Sequence, residues 1–349
     1  SSRLNFSSND YLGLSRLGGR VDYGSQPSSR LLGGNLALHE DLEGQLARWL
    51  EIEAGLLYPT GMMANLGLLS CIATRGDLIL LDKFSHASLL DGAQLSQATW
   101  KRFRHNDLGH LQTLIENWRP KVQHIFVVTE SLFSMDGDRP DFAELARLKA
   151  QYGFSLIVDE AHAIGVYGSE GRGLTHEHAG LADILTFSLS KSFALQGGVV
   201  AGSASLKRFL VNRSRAQIYT TATPAGALQL LPQRLQALRA AGDARAQLEK
   251  LCQSAASAAG IPGPWSPIVP IHIGPGDLAR RLAEELWTRD IYAPAVLPPT
   301  VPEKRARLRI SLNACHRAED LARLFQVLRD SGIAWSGTPP HTLPDTEPD

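Results

Sequence analysis

A lysine, an aspartate and a histidine frame the chemistry that this chain could perform. Lys191 lies in TFSLSKSFALQGG, just past an apolar strand-like run, and Asp159 and His162 sit upstream in LIVDEAH, where another such run ends. A lysine amine can hold an aldehyde as a Schiff base, and a buried carboxylate can keep a pyridine nitrogen protonated so that the ring accepts electrons. The pair therefore points to pyridoxal 5'-phosphate (PLP). Either residue alone reads as a solvated lysine or a strand-end cap. His162, three residues after Asp159, is spaced to reach the cofactor's phenolic oxygen.

Other segments extend the pattern. In YPTGMMANLG, Thr60 and Gly61 stand between a strand and a helix expected to begin near Met62, and N–H groups at such a helix start suit a phosphate dianion. His86, in DKFSHASLLDGA, offers an imidazole that can stack on a pyridine ring. Ser188 and Ser190 flank Lys191, so a hydroxyl can reach the phosphate while the amine reaches the aldehyde. Arg309, in RARLRISL, can grip a carboxylate with two parallel hydrogen bonds, whereas Arg305 and Arg307 read as surface residues of an edge strand. His176 and His178, in THEH, read as surface residues, and no ligand set for a metal accompanies them. A DEAH-box ATPase is excluded by the lack of a GxxxxGK[ST] loop, and the Ser-Lys hydrolase reading of SxxK lacks its SDN and KTG partners.

Positioning these groups requires strands that end together. GLLYPT, DLILLD, HIFVVT, FSLIVD, ADILTFSL and GGVVAG are short apolar runs separated by helix-period segments such as DFAELARLKAQY. Continuous apolarity indicates strands covered on both faces, hence an α/β fold around a mostly parallel sheet with chemistry at the strand ends. Beyond about residue 225 come long Ala/Leu/Arg helices and then PIVPIHIG, DLARRLAEELWTRD, ARLRISL and AEDLARLFQVLRD, a strand–helix–strand–helix order that predicts a small α/β domain. The expected organisation is an N-terminal segment (1–35) near the active site, a large PLP-binding domain (36–235), a small C-terminal domain (236–335) and a flexible Pro- and acid-rich tail (336–349).

Among the 349 residues, 35 basic and 35 acidic side chains cancel, which removes the long-range field that recruits nucleic acid or anionic membranes. Cys71, Cys252 and Cys315 form no CxxC pair, so neither a disulfide framework nor a structural zinc site is indicated. No stretch approaches the roughly 20 apolar residues of a membrane helix, and no basic-then-apolar leader is visible, so a cytoplasmic protein is expected.

Ordered segments along nearly the whole chain resemble the α-oxoamine synthases, fold-type I PLP enzymes that condense an amino acid with an acyl-CoA and release CO2 and CoA. They are SSNDYLGLS (7–15), SSRLLGGNLALHEDLE (28–43), FSHASLLDGA (84–93), TESLFSMDGD (129–138), VDEAHAIGVYGSEGRG (158–173) and ARLRISLNACH (306–316). LPPTVPEKRARLRISLNACH (297–316) and SHASLLDGAQLS are similar to the alanine- and pimeloyl-using branch of biotin biosynthesis, taking CoA or carrier-protein thioester; the alternatives are the glycine- or serine-using branches or an inactive PLP-binding subunit. The resemblance implies that Lys191 bonds the cofactor and, once freed, takes the substrate α-proton, that Asp159 pairs with the pyridinium and that His86 stacks on the ring. It also implies that His162 and Ser134 hydrogen-bond near the phenolic oxygen, that Gly61 and Met62 amides with Ser188 hold the phosphate, and that Asn9 and Arg309 hold the substrate carboxylate. Family members are homodimers with shared active sites, so Thr220 or Thr221 is implied to reach the neighbour's phosphate. Three departures stand out: SLSKSFA places Ser188 at a usual threonine and Ser192 at a usual glycine, GSQPSS puts Gln26 and Pro27 in a glycine-rich loop, and family members carry an earlier N-terminal segment.

Overall fold

A computed structural model describes residues 3–18 and 28–338, so the Gln26 and Pro27 departure and most of the acidic tail lie outside the described residues. The chain divides into two units, the larger built from 14–133 and 139–240, the smaller from 1–13, 134–138 and 241 onward. The 1–35 segment is thus shared between them at residue 13, and Ser134 falls with the smaller unit.

After a two-residue strand β1 (Leu4–Asn5), the chain forms β2 (Ala54–Tyr58), β3 (Leu78–Asp82), β4 (Thr99–Phe103), β5 (Ile125–Glu130), β6 (Ser155–Asp159), β7 (Ile184–Ser188) and β8 (Gly198–Gly202). These seven make one sheet in the order β2-β8-β7-β6-β5-β3-β4. The run from β7 through β6, β5 and β3 to β4 is parallel, whereas β8 is antiparallel to both of its neighbours. The fold is the α/β, mostly parallel architecture that the apolar runs imply. Five of the six runs named from sequence are covered on both faces, as in LILLD of β3, where every residue is buried. The strand not anticipated is β4, TWKRF, whose exposure alternates because it forms the sheet edge.

Helix α1 (Ala37–Leu50) precedes β2, α2 (Gly61–Ile72) follows it, and α3 (Ala87–Leu95) follows β3. Leu68 and Leu69 of α2 and Leu89 and Ala93 of α3 close over Leu56, Ile79, Leu81, Val128 and Ile157 of the sheet. Each such aliphatic side chain contributes about 1.5–3 kcal/mol through burial. The two helices come close enough that a Cβ on Gly92 would stand 2.9 Å from Leu69 Cβ and 3.1 Å from the Asn65 carbonyl oxygen.

Register sets the strand ends level: Glu130 pairs with Asp159, and Asp159 with Thr186. The glutamate of DEAH then turns inward. Fully buried Glu160 accepts hydrogen bonds from Ser131 Oγ (2.7 Å), Leu174 N (3.2 Å), Thr175 N (2.7 Å) and Thr175 Oγ1 (2.5 Å). Burial pushes its carboxyl above the ordinary range, with those donors opposing the shift. Glu160 thereby pins the long turn 161–175 that follows β6.

In the smaller unit, β9 (Ile268–Gly274), β11 (Ala295–Val296) and β12 (Ala306–Ser311) form an antiparallel sheet with β12 in the middle, and β1 pairs in parallel with β10 (Ile291–Tyr292). Helices Gly242–Ala259, Gly276–Thr288 and Ala318–Asp330 complete it. The expectation for Arg307 is corrected here: with strands on both sides it is buried, and its guanidinium pairs with Asp136. All three cysteines are free thiols. Among the described residues no helix is long and apolar enough to cross a membrane, and no cluster of His, Cys, Asp or Glu could hold a metal ion.

Replacing Glu160 by Leu strands four buried donors that find no other acceptor, each costing about 1–3 kcal/mol. The apoenzyme should lose at least about 3 kcal/mol in denaturant titrations followed by tryptophan fluorescence.

Candidate active site

The phosphate end is built by α2. Thr60 is its N-cap, accepting Met63 N through Oγ1 at 3.1 Å, and the carbonyl of Thr60 accepts Ala64 N. The amides of Gly61 and Met62 ahead of them bond to nothing among the described residues, so two donors at the positive end of the helix dipole face outward. The helix begins at Gly61, one residue before the start expected from sequence. Beside it stands Ser188 at the end of β7, whose Oγ lies 2.7 Å from Ser190 Oγ and accepts Ser190 N at 3.1 Å.

That cradle excludes side chains. A Cβ on Gly61 would sit 2.9 Å from Ser188 Cβ and 3.2 Å from its Oγ, and one on Gly198 would meet the Thr60 carbonyl oxygen at 2.3 Å. Bare backbone, unpartnered amides and hydroxyls of this kind suit an oxygen-rich dianion, so the residues present fit the phosphate of PLP.

Lys191 follows Ser188 in the reversal from β7 to β8. It is half-buried, and its turn is closed by Leu189 N to Gly197 O (3.0 Å), Leu195 N to Leu189 O (2.9 Å) and Ala194 N to Lys191 O (2.9 Å). Ala194 is held at φ 52°, a left-handed conformation costly for a residue with a Cβ and a common mark of functional loops. Ser192, where a glycine is usual, is buried with an unbonded Oγ.

Asp159 ends β6, nearly buried. Its Oδ1 accepts Ala161 N (2.8 Å) and its Oδ2 accepts Asn65 Nδ2 (2.8 Å), the latter from one turn into α2. His162 is buried in the turn that follows. Across the strand pair, Glu130 lies beside Asp159. Burial and the Asp159 charge push Glu130 well above the usual carboxylate range, partly offset by the His86 N–H and the Lys191 ammonium. His86 caps α3: its backbone N–H donates to Glu130 Oε1 at 2.6 Å, and its Nδ1 lies 2.8 Å from Ser88 Oγ. Thus Gly61, Met62, His86, Asp159, His162, Ser188 and Lys191 all belong to the larger unit, gathered from β5, β6, β7, α2 and α3.

The remaining candidates fall elsewhere. Asn9, Arg309 and Ser134 share a hydrogen-bonded group in the smaller unit: Arg309 donates through Nη1 to Asn9 Oδ1 (3.0 Å) and Ser311 Oγ (2.6 Å), and through Nε to the Ser134 carbonyl (2.5 Å). Buried Tyr11, its hydroxyl pushed up to about 12 by desolvation, donates to Asn9 Oδ1 at 3.3 Å. Thr220 and Thr221 lie in the loop between Arg215–Ile218 and Ala225–Leu228, Thr221 exposed. His176 is half-buried beside Arg172, and His178 packs on Phe142. The sequence reading did not single out Asn65 or Ser88. The available signal for Asn65 was a lone amide within the apolar helix GMMANLGLLSCI.

The sheet order, the lysine turn between β7 and β8 and the phosphate cradle define a fold-type I, PLP-dependent transferase. More narrowly, the chain belongs to the aminotransferase class I and II family, whose model matches residues 1–328. It is 40% identical over 346 residues to an 8-amino-7-oxononanoate synthase of Acidithiobacillus ferrooxidans, covering 94% of this chain and 87% of that protein. To the enzyme of that name from Aliivibrio fischeri it is 37% identical, covering 95% and 89%. Among solved structures it resembles a serine palmitoyltransferase of Sphingomonas wittichii (TM-score 0.87, 27% identity, covering 95% of this chain and 87% of that one). It also resembles the 8-amino-7-oxononanoate synthase of Francisella tularensis (TM-score 0.81, 28% identity, covering 95% and 98%).

Gly61→Ala should keep the fold but lower PLP retention by roughly tenfold or more, read as visible absorbance after dialysis, because the added methyl pushes on Ser188. For Glu130 the folded carboxyl titrates above the unfolded one, so its stability contribution is complete below the ordinary carboxylate range and is lost as pH rises. Apoenzyme Glu130→Gln, neutral at all pH, should therefore be more stable than wild type at neutral pH, the difference fading toward pH about 4 in thermal melts.

Proposed function

We propose that the chain catalyses the decarboxylative condensation of L-alanine with a pimeloyl thioester, of CoA or a carrier protein, to give 8-amino-7-oxononanoate, CO2 and the free thiol. The observation that carries this reading is the 37–40% identity to 8-amino-7-oxononanoate synthases across nearly the whole chain, joined to the lysine–aspartate–cradle arrangement above. A serine palmitoyltransferase-like reaction, serine with a long acyl thioester, is the second reading, favoured by the TM-score of 0.87.

Bound PLP supplies an electron sink for the pair released at the amino-acid α-carbon. In the proposal, the Gly61 and Met62 amides and Ser188 Oγ take the phosphate, Asp159 faces the ring nitrogen, and His86 stacks on the ring. His162 and Ser134 bond near the phenolic oxygen. Lys191 Nζ anchors the cofactor and, displaced by the incoming amine, takes the α-proton; an amine beside a cationic centre has the lowered basicity that this exchange at neutral pH requires. The Arg309 guanidinium and Asn9 bind the substrate carboxylate, leaving the α-carbon to attack the thioester carbonyl, after which CO2 leaves. The working enzyme is proposed to be a cytoplasmic homodimer in which Thr220 or Thr221 reaches the partner's phosphate.

Thiol release by PLP-loaded protein tests the substrates. Alanine with pimeloyl-CoA should give product, and glycine with acetyl-CoA or succinyl-CoA and serine with palmitoyl-CoA should give little; preference for serine with palmitoyl-CoA would move the chain to the second reading. Lys191→Ala should fold, lose the cofactor absorbance near 400 nm, flagged as ~400 nm for such a conjugated imine, and turn over at least about a thousandfold more slowly.

A further inference from the structure

Three side chains join the aspartate at the end of β6 to the imidazole that caps α3. Asn65 Nδ2 donates to Asp159 Oδ2 at 2.8 Å and to Ser88 Oγ at 2.9 Å, and Ser88 Oγ lies 2.8 Å from His86 Nδ1. We propose that Asn65, acting with Ser88, is a positioning residue that locks Asp159 and His86 into one unit and fixes the proton of His86 on Nε2. The inference rests on the proposed placement of Asp159 and His86 about the cofactor ring.

The direction of every bond in the chain follows from its first member. A carboxylate oxygen can only accept, so the Asn65 amide must present its NH2 to Asp159; the opposite orientation would set two acceptors against each other. The second amide hydrogen then goes to Ser88 Oγ. Having accepted there, Ser88 directs its own hydrogen to His86 Nδ1, which also accepts Ser88 N at 3.2 Å. With Nδ1 engaged as an acceptor, the ring proton sits on Nε2. The backbone of His86 is held independently by Glu130 Oε1, so both the ring and its attachment are fixed.

Two further observations favour function over packing. Asn65 and Ser88 are almost completely buried, yet Asn65 Oδ1 has no partner, a cost that an apolar side chain in this apolar stretch of α2 would avoid. The chain also spans three elements that carry different parts of the cradle: α2 starts at the phosphate amides, α3 starts at the imidazole, and β6 ends at the carboxylate. Each Asp159 oxygen accepts one hydrogen bond from the protein side chain or backbone named above and retains capacity for another.

The test uses Asn65→Leu, Ser88→Ala and the double variant, with PLP affinity measured by equilibrium dialysis and the His86 tautomer read by 15N NMR of the apoenzyme. Asn65→Leu should weaken PLP binding about tenfold or more, the scale of one hydrogen bond to a charged group. Ser88→Ala should weaken it less and raise the fraction of His86 protonated at Nδ1, and Ser88→Thr should restore both. Because the bonds act in series, the double variant should bind no more weakly than Asn65→Leu. Should Asn65→Leu fail to fold, Asn65→Ala supplies the same comparison. Wild-type affinity and tautomer in the single variants, or losses that simply multiply in the double, would overturn the proposal. Lys191→Ala separates the two levels: if it keeps the wild-type cofactor absorbance, the site reading itself fails, whereas its loss alongside unchanged Asn65 and Ser88 variants removes only the relay.

Discussion

Parallel hydrogen bonding among β5, β6 and β7 is the constraint on which the rest of the site depends. With Glu130, Asp159 and Thr186 in register, the three strands end level, and whatever follows each strand emerges at the same edge. Two carboxylates in adjacent positions in a buried place cannot both be comfortably charged. The structure treats them differently: Asp159 takes a donor on each oxygen, whereas Glu130 is shifted toward its neutral form and serves as the acceptor that seats His86. The third acid, Glu160, is directed away from this edge and spent on holding the turn behind it.

Helix starts complete what the strand ends begin. The N-terminus of α2 supplies two unbonded amides, and that of α3 is capped by an imidazole rather than by a serine or aspartate. Because Gly92 lets α2 and α3 approach closely, a single amide side chain on one helix reaches both the other helix and the strand end. Packing and chemistry are therefore not separable here: the glycine contact that seals the core is also what brings Asn65 within hydrogen-bond distance of Ser88.

Much of this was legible in the residues. Five of the expected runs are strands buried on both faces because LILLD, HIFVVT and FSLIVD have no polar alternation to suggest otherwise, and TGMMANLG carries both the cap and the turn glycine of a phosphate-binding helix start. β4 escaped because TWKRF is an edge strand, whose exposed Lys and Arg positions match a loop as well as a strand. Arg307 was misjudged because RARLRISL alternates in a way that suits an edge, and only the pairing of β12 with strands on both sides shows the arginine buried against Asp136. Asn65 and Ser88 were invisible for a different reason. A polar residue in a helix reads as solvated until a partner from elsewhere in the chain is known, and Asp159 lies 94 positions away.

The central claim is that Lys191, and no other amine, carries the cofactor at this strand edge. Reduction of the PLP-loaded protein with borohydride, followed by peptide mass spectrometry, tests it most directly. The account predicts a reduced pyridoxyl group on the peptide containing Lys191 and none on Lys83, Lys149 or Lys207. Labelling of another lysine with Lys191 unmodified would contradict it.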